Sequence, residues 1–93
     1  ALPYFSKLPK NDTALYYSGI SSIYLNRLSD AELLFNKIPS ESIYKNRSFY
    51  YISLCYIFNH KETEGLQILN RTTFTDSIFI IKKNELAKAF VQH

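Results

Sequence analysis

Cys55, His60 and His93 carry the readiest reactive chemistry in this 93-residue chain. A Cys–His pair can make a thiolate nucleophile, and His, Cys and carboxylates together can hold zinc. The spacing supports neither. Cys55 lies inside the apolar run FYYISLCYIF, where a thiol is a buried packing group. His60 falls in a break between two helical patterns, and His93 is the last residue. No pair of His, Cys or acidic residues has metal-ligand spacing. Gly19 and Gly65 are far apart, so there is no Gly-rich loop to cradle phosphate. Asp30, Glu32, Glu62 and Glu64 fall near expected helix starts, where they complement the helix dipole. The chain reads as non-catalytic, with no cofactor and no metal. The remaining chemistry is recognition. Eight Tyr and seven Phe without Trp leave some Tyr rings near the surface, where they suit a binding face.

The composition bounds the elements that must position those rings. Ninety-three residues make one small domain. Hydrophobic residues are 46% and charged residues 20%, which is globular, and scarce Gly and Pro favour helices. The net charge is +3, with Lys82-Lys83 the longest basic run, so the dense basic stripe of a nucleic-acid binder is missing. The single cysteine forbids an intramolecular disulfide and leaves the compartment open. No apolar run approaches the ~18 residues of a membrane span, and no signal peptide is visible. A start at Ala1 without Met is expected of a processed or excised piece, which leaves room for an upstream targeting segment, anchor or catalytic domain.

The order of these residues is repetitive. FSKLP at residues 5 to 9 returns as FNKIP at residues 35 to 39. A longer echo has an offset of 34: LYYSGISSIY at residues 15 to 24 aligns with FYYISLCYIF at residues 49 to 58. It continues without a gap, pairing Arg27 with Lys61, Ala31 with Gly65, Phe35 with Leu69, and Asn36-Lys37 with Asn70-Arg71. Periods of this length mark helical repeats.

Each unit reads as two helices. Asp12 is the expected N-cap of the first, whose apolar positions Tyr16, Ile20, Ile23 and Tyr24 recur at helical spacing. Asn26-Arg27 makes a turn. Ser29 and Glu32 have capping-box spacing, with Thr63 in the place of Ser29 in the next unit. Leu34, Phe35 and Ile38 form the buried stripe of the second helix, which breaks at Pro39. The small residues Gly19, Ala31, Ser53 and Gly65 mark places where helices cross closely. The expected division is a partial-repeat helix at 1–10, repeats at 12–45 and 46–74, and a more polar capping helix at 76–92.

These residues resemble the tetratricopeptide repeat (TPR). Leu15, Gly19, Leu28, Ala31 and Phe35 fit its pattern in one unit, and Phe49, Ser53, Tyr56, Gly65 and Leu69 in the next. Ser18 and Ser22 depart from its Leu and Tyr, Ile38 stands for its Ala, and Pro39 comes early. The resemblance implies an all-α, right-handed α-solenoid of about five helices that binds another protein. By the same resemblance, a concave groove takes Tyr16, Ile20 and Tyr24 from one unit and Arg47, Tyr50, Leu54 and Phe58 from the other. Such a groove is aromatic and apolar, suited to a partner peptide or helix. It lacks the Lys and Asn with which one TPR subclass clamps a C-terminal carboxylate. Two further outlets are self-association through Phe5 and Leu8 of the opening helix, and RNA binding as in the related pentatricopeptide repeats, with Arg47, Lys82, Lys83 and Lys88 on phosphate. The period of 34 and the apolar groove disfavour RNA.

Overall fold

The computed structural model describes residues 12–91. These form five α-helices: α1 (Asp12–Tyr24), α2 (Leu28–Asn36), α3 (Ile43–Phe58), α4 (Glu62–Arg71) and α5 (Ser77–Val91). No strand occurs among the described residues, so the fold is all-α. No helix among them is long and apolar enough to cross a membrane. The expected opening helix, with Phe5 and Leu8, lies outside the described residues.

Two tight turns make the hairpins, and they share the same closing bonds at the offset of 34. Asn26 and His60 both adopt the left-handed conformation, with φ of 60° and 64°. The Arg27 N–H donates to the Ser22 carbonyl and the Asn26 N–H to that of Ile23; Lys61 and His60 do the same to Tyr56 and Ile57. This is the Schellman arrangement, which satisfies carbonyls left open at a helix end. Arg27 and Lys61 also open the next helix, since their carbonyls accept from Ala31 and Gly65 at 3.0 Å. That overturns the expected caps. Ser29 and Thr63 lie inside α2 and α4, and the N-cap positions are Arg27 and Lys61, without a side-chain cap bond. A residue that ends one helix and starts the next leaves no room for a separate capping box.

The longer connection uses side chains instead. Ser42 caps α3, its hydroxyl oxygen accepting from the Tyr44 N–H at 3.1 Å. The same hydroxyl donates to the carboxylate of Asp12, tying the starts of α1 and α3 together. With this cap α3 begins at Ile43, three residues before the repeat boundary expected at 46.

Close packing sets the hairpin spacing. A Cβ built on Gly19 would lie 2.6 Å from the Phe35 ring, and one on Gly65 would lie 2.8 Å from the Ser53 carbonyl oxygen. Ala31, Phe35 and Leu69 are fully buried beside these crossings. Ser48 and Ser53 are buried too, and each hydroxyl bonds back to a carbonyl of its own helix, Lys45 at 2.6 Å and Phe49 at 2.8 Å. One core gathers Tyr16, Ala31, Phe35, Ile38, Ile52 and Cys55. A second gathers Leu69, Phe74 and Phe79 under α5. Helices α1, α3 and α5 touch in a row, with α2 packed on α1 and α3, and α4 on α3 and α5.

Candidate functional site

An open apolar cleft of about 220 Å³ lies between α1 and α3. Its walls are Ile20, Ile23 and Tyr24 from α1 and Tyr51, Leu54 and Phe58 from α3. The spacing 20, 23, 24 on one helix and 51, 54, 58 on the other puts each set on one helical face. No residue of α2 enters the lining, so the cleft opens on the outer side of the α1–α3–α5 row. Tyr24 is 85% exposed and Phe58 is 53% exposed, so two large rings at the cleft stand largely in water.

Of the seven residues expected in a groove, Ile20, Tyr24, Leu54 and Phe58 meet in this cleft. The other three stand elsewhere. Tyr16 is a core residue, 4% exposed, with its ring 4.7 Å from Tyr44 and 5.8 Å from Tyr51. Tyr50 turns toward α5, edge-on to Phe74 and Phe79. Arg47 is anchored to the start of α5: its guanidinium pairs with Asp76 at 3.0 Å and lies over the rings of Tyr44 and Phe79. The cause is a rotation of the inward stripe by one residue. The face that meets the cleft runs 51, 54, 58, which selects Tyr51 over Tyr50. That stripe is present in the sequence at i, i+3 and i+7, and so is the missed Ile23 one turn before Arg27.

Burial sets the state of the two tyrosine hydroxyls at the back of the cleft. Burial pushes the Tyr16 hydroxyl well above the ordinary phenol range, and its neighbour Tyr51 adds to this by charge and by a hydrogen bond between the two hydroxyls. Tyr51 is also raised, chiefly by burial, although that same bond lowers it. Both rings are neutral hydrogen-bonding groups at any physiological pH.

The residues weighed for catalysis are set apart. Cys55 is 2% exposed, and burial, then the Glu32 carboxylate, push its thiol up to about 11, so it stays protonated and unreactive at neutral pH. It borders a small polar pocket of about 100 Å³ with Ser29, Glu32, Tyr56 and Lys61. His60 is exposed in its turn. Among the described residues no three His, Cys, Asp or Glu side chains come together in a way that could hold a metal ion. Comparison of the chain with family models, with curated proteins and with solved structures finds no match.

Proposed function

We propose that the chain is a non-catalytic protein-interaction module: a right-handed stack of TPR-like helix pairs whose α1–α3–α5 row presents a groove to a segment of another protein. The observation that carries this reading is the open cleft between α1 and α3, walled by Ile20, Ile23, Tyr24, Tyr51, Leu54 and Phe58 and left with two large rings in water. Supporting the stack is the 34-residue offset, at which both the αL residues and the turn hydrogen bonds coincide. A row of helices built from such units buries its own core between layers and keeps one broad face for a ligand. Amphipathic segments bind such faces through a few anchors spaced along one side. Here the anchors would enter between Leu54 and Ile20 and be closed over by Tyr24 and Phe58.

A display library of short random peptides, panned against the pure chain, tests this. The selected peptides should share aliphatic or aromatic anchors, and their affinity should fall at least about tenfold, the cost of one lost anchor, when Leu54 is changed to Asp or Phe58 to Ala. Peptides that bind both variants as well as the parent chain would place recognition elsewhere and defeat the reading.

A further inference from the structure

We propose that the segment taken by this groove is acidic as well as apolar, with its anchors in the α1–α3 cleft and its carboxylates over α5; the inference rests on the reading of the groove given above. The charges of the chain are sorted by helix. From Thr13 to Tyr24, α1 has no charged residue, and α3 has Lys45 and Arg47 but no acid. The exposed acids Asp30, Glu62 and Glu64 stand on α2 and α4, on the other side of the layer, and Glu41 lies in the loop between α2 and α3. In the row that forms the groove, Glu85 of α5 is the one exposed acid among the described residues.

The cations of the row differ in what they face. Arg47 is held by Asp76, and the Lys83 ammonium donates to the Thr72 carbonyl at 2.9 Å, so both are engaged within the fold. Lys45 reaches back to the Phe35 carbonyl at 3.5 Å. That leaves Lys82 and Lys88 of α5, neither in an ion pair among the described residues. Lys82 lies 5.9 Å over the Tyr50 ring, and Lys88 is exposed. At the offset of 34, Glu85 takes the place of Tyr51 and Lys88 that of Leu54. The row therefore changes character along its length, from uncharged walls between α1 and α3 to α5, which carries Lys82, Lys83 and Lys88 against the single acid Glu85. A polypeptide that crosses it gains by burying apolar side chains first and meeting cations with acids next. Nucleic acid fits less well, because phosphate binding needs many cations and three of the five in this row, Lys45, Arg47 and Lys83, are engaged within the fold.

Fluorescence anisotropy with three labelled amphipathic peptides tests the inference. All carry Leu and Phe anchors at helical spacing, with Glu, Gln or Lys at the positions between. A fourth keeps the Glu residues and replaces the anchors by Ser. The Glu peptide should bind about three- to thirtyfold more tightly than the Lys peptide, the scale of two exposed ion pairs, with the gap closing as salt rises. The Lys82→Glu, Lys88→Glu double variant, checked for unchanged helicity by circular dichroism, should reverse the order. Equal binding of the Glu, Gln and Lys peptides would overturn the acidic preference and leave the apolar groove standing. Binding of the anchorless Glu peptide at the same affinity would overturn the division of labour between α1–α3 and α5. Failure of every anchored peptide would defeat the groove and this inference together. Tighter binding of oligouridine RNA than of the Glu peptide would replace the acidic segment by nucleic acid.

Discussion

Gly65 and Gly19 carry the close crossings, and their replacement separates two kinds of crowding. A Cβ at residue 65 would lie 2.8 Å from a backbone oxygen of α3, which cannot retreat without moving the helix. At residue 19 the obstacle is the Phe35 ring, a side chain, though one fully buried and stacked 5.8 Å from Tyr51. Alanine gains about 1 kcal/mol of helix propensity at either site. Overpacking should outweigh it, with Gly65→Ala losing about 1–3 kcal/mol in urea unfolding and Gly19→Ala less. Equal stability of the Gly65→Ala and parent chains would mean the crossing is looser than this. The left-handed turn residues run the other way. His60 bears a side chain in a conformation that costs a non-glycine residue roughly 1–2 kcal/mol. His60→Gly should therefore raise the urea midpoint, and by more than Asn26→Gly, since Asn tolerates this conformation better. Titration adds a third residue-scale expectation. Tyr16, Tyr51 and Cys55 all have folded pKa values raised above their unfolded ones, chiefly by burial. Their neutral forms stabilise the fold below the unfolded pKa, and that stability drains away as pH rises. For Cys55 the window opens near the ordinary thiol value of about 8.5 and runs to about 11. The tyrosines follow from about 10 upward. Urea midpoints should be level from neutrality to about pH 8 and then fall, and Cys55→Ala should delay the onset toward the tyrosine range.

Helix α5 is the element whose attachment is most polar, and it is where a single change should act most locally. Asp76 caps it, one oxygen accepting from the Ile78 N–H at 2.9 Å and the other pairing with Arg47. Asn46 holds the preceding loop by donating to the Thr73 carbonyl and accepting from the Thr75 N–H. Phe74 and Phe79 supply the apolar part. Removing the carboxylate loses a cap and an ion pair at once, so Asp76→Ala should cost about 1–2 kcal/mol. Hydrogen exchange should quicken in α5 and leave α1 and α2 nearly unchanged, since neither touches α5. Uniform acceleration along the chain would show the helices unfolding as one unit instead. The caps of the hairpins were the part of the element plan least legible in the sequence. Ser29 and Glu32 have the right spacing for a capping box, but spacing does not report where the previous helix stops. The Schellman turns absorb the residue that a cap would need.

At the scale of the molecule, the core and the proposed groove lie on different faces of the same helices, so stability and binding can be separated by substitution. Tyr16 is buried among Tyr44, Phe35 and Tyr51, and Tyr16→Ala should cost about 3–5 kcal/mol of stability, as large aromatic deletions in cores do. Phe58 is half in water, and Phe58→Ala should cost less than about 1 kcal/mol while weakening peptide binding in the groove. Thermal melts beside anisotropy distinguish the two. Parallel losses of stability and binding at Phe58 would assign that ring to the core.

The local pattern was enough to determine the helices, their pairing into hairpins and the close crossings. Helical periodicity, turn residues and small side chains act over a few residues, and the internal repeat writes them twice. The buried Phe35 and Leu69 and the small Ala31 and Gly65 stand at matching positions for that reason. Which side of α3 each ring takes was decided only by the packing. Tyr50 and Tyr51 are neighbours with the same chemistry, and a rotation of one residue sends Tyr50 to α5 and Tyr51 to the cleft. That rotation is set by contacts with α1, α2 and α5 together. Tyr16 was drawn into the core by the same contacts, through its approach to Tyr44 and Tyr51 on α3, residues far away in the sequence.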